Sequence, residues 1–158
     1  MNSELPGPLV SAAAVNGFLA GASMFRSLIE LPVWEKNQLS GFYRYARAAD
    51  LGRGFVVYPV FGVGAALIVI AAAPDGYLVG GLSATTSTLL WLSAVLTIAH
   101  SVTTSRAAPN MLKLRNSPEE PDVIRPLFAG FKRWQDRRAT LQVLTFISVL
   151  LTTASLVP

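Results

Sequence analysis

The stretch Gly54–Ala73, GFVVYPVFGVGAALIVIAAA, decides the fold class of this chain. Its 20 residues include no Asp, Glu, Lys or Arg. A helix of about 20 residues spans the roughly 30 Å hydrocarbon core of a bilayer. A strand of a membrane barrel would need only about 10 residues and would alternate polar with apolar positions. The stretch is continuously apolar, so it predicts a transmembrane α-helix.

Three more stretches have the same character, and together the four account for the composition of the chain. Of its 158 residues, 52% are hydrophobic and only 14% are charged, which is too little polar surface for a soluble domain. We predict an all-α fold, a four-helix transmembrane bundle that forms a single integral membrane domain over residues 1–158. The spans are expected at about residues 9–29, 54–73, 77–99 and 139–157.

The loops between the spans differ in character. Helix one is expected to end at about Glu30, because the residue that precedes a proline, here Pro32, is disfavoured in a helix. The first loop, Trp34–Arg53, has a helical composition with several aromatic residues and predicts a short interfacial helix. The cytoplasmic loop before the last helix is longer and is expected to be largely irregular until about Leu127. Its prolines are Pro109, Pro118, Pro121 and Pro126.

The net charge of +4 could indicate a nucleic-acid partner, but the distribution of the charge argues against one. Twelve of the thirteen Lys and Arg residues fall within residues 31–53 and 104–138. In a chain with four spans, these two loops lie on one side of the membrane. The positive-inside rule then predicts an integral, multi-pass membrane protein whose loops 31–53 and 104–138 are cytoplasmic and whose termini both lie outside.

Polar residues recur along single faces of three spans. Because an unpaired polar group in hydrocarbon is costly, we expect these polar stripes to face one another inside the bundle. A separate row of small residues, Ala13, Gly17 and Gly21, suits close packing within the bundle or between chains. The stripes are Asn16, Ser23, Arg26, Ser27 and Glu30 on helix one; Thr86, Ser93, Thr97, His100 and Thr104 on helix three; and Arg138, Gln142, Thr145, Ser148, Thr152 and Ser155 on helix four.

Four ionisable residues of these stripes converge at the predicted cytoplasmic face. Arg26 and Glu30 end helix one, whereas His100 ends helix three. Arg138 begins helix four. Charged groups at membrane depth are expensive and are usually functional, so we predict a pocket there for a small, flat, partly anionic molecule, reached from the cytoplasm or the inner leaflet. The predicted substrate-binding residues are Asn16, Trp34, Tyr43, Asn110, Trp134 and Gln135.

Each of these residues also has a simpler interpretation, and the sequence leaves both open. Arg26 and Glu30 are four residues apart and could neutralise each other. His100 could cap the end of helix three, and Arg138 could extend to the lipid headgroups. Tryptophans near a membrane surface are often interfacial anchors, which applies to Trp34 and Trp134.

The residue types in the chain exclude several kinds of site. One histidine, no cysteine and scattered acidic residues do not supply an ordinary transition-metal site. The chain has no phosphate-binding loop and no Gly-x-Gly-x-x-Gly fingerprint after a strand. We therefore expect a function that needs neither a metal nor a cofactor.

Three short motifs resemble a known family. Residues 17–21 (GFLAG) lead to residues 27–34 (SLIELPVW), residues 108–111 (APNM) follow helix three, and residues 131–138 (FKRWQDRR) precede the last span. In order and spacing, over nearly the whole chain, these motifs resemble the anthrone oxygenase-like membrane family, much of which is a domain of unknown function. Gln135 departs from the pattern, because many relatives have a His there. If that His is catalytic, this chain is altered or inactive in that activity; if it only forms a hydrogen bond, Gln can replace it.

The resemblance implies a chemistry. Characterised relatives oxidise a tricyclic anthrone to an anthraquinone with O2. Such a carbon acid needs only a base to form an electron-rich anion that reacts with O2 without a metal. Glu30 or His100 would take the proton, and Arg26 or Arg138 would stabilise the resulting oxygen anion. The aromatic residues that would stack on the rings are Trp34, Tyr43 and Trp134.

Two functions therefore remain open. The first is a small membrane oxygenase that acts on a flat aromatic, anthrone-type or lipid-like substrate. The second is a non-enzymatic binding or accessory subunit that holds a lipid or a quinone, or that joins a homo-oligomer or a larger membrane complex. In either case the expected partners are a small hydrophobic or aromatic molecule and membrane lipid.

Overall fold

The computed structural model describes residues 6–37, 39–78 and 82–156, and the regular structure of these residues is entirely helical. Four helical runs are long and apolar enough to cross a membrane. The predicted all-α four-helix transmembrane bundle is therefore confirmed, and the chain is a multi-pass membrane protein. The helices are α1 Pro6–Phe25, α2 Leu31–Asn37, α3 Leu39–Tyr45, α4 Gly54–Leu78, α5 Ala84–Leu114 and α6 Pro121–Leu156; π-helical segments Arg26–Glu30 and Ala46–Arg53 join α1 to α2 and α3 to α4.

The first span does not end at Glu30, which corrects the prediction from Pro32. The π-helical segment carries the helix into α2, and the Leu31 N–H donates to the Arg26 carbonyl, five residues earlier. A proline inside a helix lacks an N–H and crowds the carbonyl four residues before it. The wider π turn absorbs this disturbance immediately before Pro32, so the chain remains helical as far as Asn37.

The long segment before the last span is mostly helical rather than irregular, so that expectation is wrong. α5 continues to Leu114 and α6 begins at Pro121, and residues 115–120 connect them. Pro121 occupies the first position of α6, where its missing N–H is not needed. A buried apolar cluster holds this helical hairpin against α3, and it includes Phe42, Leu114, Ile124, Phe128 and Phe131.

The third span begins later than predicted. Residues 77 and 78 belong to the end of α4, and α5 begins at Ala84 with Ser83 as its N-cap. The Ser83 side chain accepts a hydrogen bond from the Thr86 N–H at 3.1 Å. Such a cap satisfies one of the free N–H groups at a helix start. Residues 79–81 of the predicted span lie outside the described residues.

The four spans form a ring in which α1 packs on α6, α6 on α5, α5 on α4, and α4 on α1. Residues 31–53 and the hairpin of α5 and α6 meet at one end, which we call the basic end because residues 31–53 and 104–138 carry most of the Lys and Arg. Arg44 pairs with Glu119 at 2.8 Å across this end, and Lys132 pairs with Glu35 at 2.8 Å. The first loop is helical, as predicted, and is tied to the hairpin.

The predicted polar stripes do face one another inside the bundle. The Gln142 side-chain amide donates to the Asn16 side-chain carbonyl at 2.8 Å, which links α6 to α1. Ser93 and Ser148 form a buried hydrogen bond of 2.8 Å between α5 and α6. The small-residue row also packs in part, because a Cβ atom on Gly17 would lie only 2.9 Å from the Phe146 ring. Ser155 is the exception among the residues of the α6 stripe, since it is exposed.

Candidate functional site

A cavity of about 560 Å³ lies between the spans toward the basic end. α1, α4, α5 and α6 all contribute to its wall, and most of the lining side chains are apolar. A volume of this size falls in the range typical of small-molecule sites. The polar residues of the wall include Arg26, Asp50, Tyr58, His100, Arg138 and Gln142.

The sequence of α4 explains why there is room for the cavity. α4 presents Gly54, Tyr58, Gly62 and Ala66 to it, and these residues repeat every fourth position and so share one face of the helix. Three of the four are Gly or Ala, so this face leaves a recess where larger side chains would meet α5. A Cβ atom on Gly62 would meet nothing within 4 Å.

The strongest electrostatic feature of the cavity is an ion pair between Arg26 and Asp50. Arg26 Nη1 donates to Asp50 Oδ1 at 2.8 Å, and Nη2 contacts the second carboxylate oxygen. Both side chains are only 11% exposed. Two parallel N–H···O bonds make such a pair strong and geometrically specific, and in a poorly solvated place each ion depends on the other.

Asp50 was missed by the sequence analysis, although a signal for it exists. It is the one acidic residue between Glu35 and Asp75, and an arginine inside an apolar span needs a counter-ion nearby. The second π-helical segment departs from helical geometry at Gly52 (φ −87°, ψ −119°), where the chain turns into α4. This turn leaves Asp50 beside Arg26 at the start of the cavity.

His100 and Arg138 line the same cavity from α5 and α6. Because α5 extends to Leu114, His100 lies within the helix and does not cap its end. Arg138 likewise lies within α6 rather than at its start. In the part of the chain that the structure describes, Arg138 Nε is buried without a hydrogen-bond partner, and no carboxylate lies within 4 Å of this guanidinium.

Glu30 is not among the residues that line the cavity. Its carboxylate lies 3.9 Å from Arg26 Nε and accepts a hydrogen bond of 3.4 Å from the Tyr45 hydroxyl. The predicted Arg26–Glu30 contact is thus present, but it is weaker than the contact with Asp50. Of the four predicted catalytic residues, the cavity therefore brings together Arg26, His100 and Arg138.

Two predicted binding residues lie directly behind the cavity wall. Asn16 bonds to Gln142, which lines the cavity. Gln135 is fully buried, and its amide donates to the Ser23 carbonyl at 3.4 Å. Its side-chain oxygen has no hydrogen-bond partner among the described residues. Both residues support the wall rather than form its surface.

The other predicted binding residues pack at the basic end, outside the cavity. Trp34 stacks on Tyr45 with ring centroids 6.1 Å apart. The Tyr43 hydroxyl donates to the Ser117 carbonyl at 2.6 Å. Arg137 lies over the Trp134 ring at 4.8 Å. Asn110 lies against Gly130, since a Cβ atom added to Gly130 would lie 2.7 Å from the Asn110 side-chain oxygen.

Tyr58 and Gln142 are further cavity residues that the sequence analysis did not assign to the site. Tyr58 carries the only side-chain hydroxyl in the stretch Gly54–Ala73, which is the signal that could have identified it. Gln142 belongs to the predicted α6 stripe, but its position next to a cavity depends on the recess in α4. Within the described residues, no three His, Cys, Asp or Glu side chains form a group that could hold a metal ion.

Comparisons of the chain with protein-family models, with curated proteins and with solved structures give no match.

Proposed function

We propose that this protein is a small membrane-embedded oxygenase that acts on a flat aromatic carbon acid of the anthrone type, with His100 as the base. The observation that supports this proposal is the placement of His100, Arg138 and Arg26 in the wall of one largely apolar cavity between membrane helices. The cavity supplies a base, two cations and a surface for an apolar ring system.

The cavity suits the size and polarity of such a substrate. A tricyclic anthrone is flat and apolar except at its oxygen atoms, and about 560 Å³ is enough space for a molecule of that class. Apolar side chains such as Phe55 and Met111 would cover the rings. The Tyr58 hydroxyl is the polar group on the α4 side, where it would contact a ring substituent.

The proposed reaction needs a base and stabilisation of negative charge. His100 takes a proton from the carbon opposite the anthrone carbonyl, which leaves a phenolate-like anion. Arg138 and Arg26 stabilise the charge that develops on oxygen. O2 oxidises the anion and adds to the same carbon, the peroxide anion takes back the proton from His100, and the resulting hydroperoxide then loses water. One anthrone and one O2 give one anthraquinone and one water.

His100 is a better candidate for the base than Glu30. His100 lines the cavity, whereas the Glu30 carboxylate is engaged by Arg26 and Tyr45 outside it. A general base must come within hydrogen-bond distance of the proton that it removes. The presence of Gln at position 135, where a His was expected, does not affect the assignment of His100 as the base, because Gln135 is buried and does not line the cavity.

The test is O2 uptake by the detergent-purified protein with emodin anthrone, corrected for autoxidation. We expect His100→Ala to reduce the enzymatic rate to background and Glu30→Gln to leave most of it, with both variants helical and monodisperse. Loss of the rate in Glu30→Gln but not in His100→Ala would contradict the assignment. No rate above background with several anthrones, from folded protein, would favour the binding or accessory role instead.

We also propose that the basic end is cytoplasmic and that both termini lie outside. The support is the collection of Lys and Arg residues at one end of the bundle, where ion pairs such as Arg44–Glu119 join the two loops. The chain has no cysteine, so single cysteines can report the orientation. In intact cells, we expect an impermeant maleimide to label Ser83→Cys and not Asn116→Cys; the opposite pattern would reverse the proposed orientation.

A further inference from the structure

We propose that the cavity binds a molecule with a single negative charge on an apolar body, and that Arg138 holds the charged group. The inference rests on the proposed function, because it specifies the ionic form of the ligand at that site. It is carried by the charges of the cavity wall, the contacts of Arg138, and the side from which the cavity is open.

The charged residues in the cavity wall do not balance. Arg26 and Arg138 are cationic, and Asp50 is the one acidic residue among the lining residues that the structure describes. With a neutral His100, the lining residues alone carry one surplus positive charge; the Glu30 carboxylate, which is not among the lining residues, contacts Arg26 and not Arg138. A charge that is withdrawn from water without a partner is strongly unfavourable, so the site favours a ligand that supplies one negative charge.

The unbalanced positive charge is that of Arg138 rather than that of Arg26. Both oxygens of Asp50 are bound by Arg26, and Glu30 lies 3.9 Å from the Arg26 Nε. In the described chain, the Nε atoms of both arginines are buried donors without a hydrogen-bond acceptor, but of the two only Arg138 also has no carboxylate within 4 Å. A carboxylate or phenolate oxygen at Arg138 would supply both the missing charge and the missing acceptor.

The open side of the cavity indicates that the rest of the ligand is apolar. Five lining residues of α4 are also exposed on the surface of the bundle: Phe55, Tyr58, Pro59, Val63 and Leu67. This surface belongs to a helical run that is apolar enough to cross a membrane and is little buried in the bundle, so we infer that it faces lipid. A ligand that reaches Arg138 from this side passes through hydrocarbon, which favours an amphipathic molecule with one charged group over a small hydrophilic ion.

The test compares two probes that share a flat tricyclic body: 9-anthracenecarboxylate, an anion, and 9-anthracenemethanol, which is neutral. Binding to the full chain in phosphatidylcholine nanodiscs is followed by anthracene fluorescence anisotropy and corrected with empty nanodiscs. We expect the carboxylate to bind on the order of tenfold or more tightly than the alcohol, because it pairs with a poorly solvated cation. Arg138→Gln should remove this preference, and Arg138→Lys should retain most of it.

Two controls separate the charge of Arg138 from the fold and from the rest of the site. Arg137→Gln removes a neighbouring cation that lies over Trp134, outside the cavity, and should leave the preference unchanged. The double variant Arg26→Gln, Asp50→Asn removes one positive and one negative charge of the cavity wall together and should lower the preference less than Arg138→Gln does. An equal affinity for both probes in the unmodified protein, or a preference that survives Arg138→Gln in folded protein, would overturn the proposal.

The same experiment distinguishes this inference from the proposed reaction. Selective binding of the carboxylate by a protein that gives no O2 uptake would support the anion site and contradict the oxygenase. Oxidation of anthrones by a protein that binds both probes equally would support the oxygenase and contradict the anion site. If phosphatidylglycerol in the nanodiscs displaces the carboxylate at Arg138, the natural anion is a lipid headgroup; if it does not, the natural anion is a free amphipathic acid.

Discussion

The seam between α5 and α6 and the seam between α4 and α5 are built in opposite ways. α5 and α6 form the most extensive contact in the bundle, with the buried Ser93–Ser148 hydrogen bond between them. α4 has no polar stripe, and little of its apolar stretch is buried. On its inner face, Gly54, Gly62 and Ala66 leave a recess. Small hydroxyl side chains close the interface between α5 and α6, whereas missing side-chain volume opens the one between α4 and α5. The charged residues line the cavity that results.

The largest expected effect comes from filling the open seam. Gly62→Phe places a ring in the cavity, and we expect substrate turnover and probe binding to fall to background. The unfolding midpoint should change little, because a Cβ atom on Gly62 meets nothing within 4 Å. O2 uptake and thermal unfolding measured on one preparation check both statements.

Gly64→Phe is the matched control for this change. Gly64 also has nothing within 4 Å of a Cβ atom, but it does not line the cavity. The control should keep its activity. Full activity in Gly62→Phe would mean that the cavity is not the site of the reaction.

The next largest effect is expected from removing the counter-ion in the cavity wall. Asp50→Ala leaves the poorly exposed Arg26 without its bidentate partner. Breaking a buried pair from one side typically costs about 3–5 kcal/mol in the free energy of unfolding. Unfolding in SDS, followed by circular dichroism, measures this loss.

Two comparisons test the cause of that loss. The double variant Arg26→Gln, Asp50→Asn should recover most of the stability, because the two charges of the bidentate pair are removed together and only the more exposed Glu30 loses a contact, which is the longer one of 3.9 Å. Glu119→Gln, which breaks an ion pair with the exposed Arg44, should cost no more than about 1 kcal/mol. Equal losses in Asp50→Ala and Glu119→Gln would show that the pair at the cavity is no more important than one at the surface.

A smaller effect is expected where α1 meets α6. Gly17→Ala brings a methyl group to 2.9 Å from the Phe146 ring, and such overpacking typically costs about 1–3 kcal/mol. Gly21→Ala, one turn later in the same row, meets nothing within 4 Å and should be neutral. The stability of both variants is measured by unfolding in SDS. Equal losses of stability in the two variants would contradict the expected difference in packing.

The smallest effect concerns the closed seam. Ser148→Ala removes one partner of the hydrogen bond with Ser93, and hydrogen bonds between membrane helices contribute about 0.6 kcal/mol on average. A double-mutant cycle with Ser93→Ala isolates this energy. A coupling near zero would mean that packing alone closes the seam.

The helices and polar stripes could be predicted from the sequence because they depend on local patterns. An uncharged stretch such as Gly54–Ala73 has few ways to satisfy its backbone in lipid. Asn16 and Gln142 recur at helical spacing with their stripes, and the structure places them in contact. The same reasoning predicted that Arg26, Glu30, His100 and Arg138 converge; Arg26, His100 and Arg138 line one cavity, whereas Glu30 is not among its lining residues.

The rest depends on how distant segments meet, which a local pattern does not contain. The ion pair of Asp50 with Arg26 is created by the turn at Gly52 and by the approach of α1. We expected Trp34 to cover the pocket, but its ring stacks on the Tyr45 ring instead. Pro32 was expected to end a helix, but a π turn accommodates it.

The uninterrupted length of α5 and α6 has a mechanical consequence. At 1.5 Å per residue, the 36 residues of α6 extend about 54 Å, which exceeds the roughly 30 Å of the hydrocarbon core. The part beyond the bilayer is therefore a rigid hairpin at the basic end, stiffened by its own apolar cluster. His100 and Arg138 belong to the same two helices, so the hairpin is joined to the cavity by continuous helix, and Pro109 and Pro126 are the positions at which the two helices would bend.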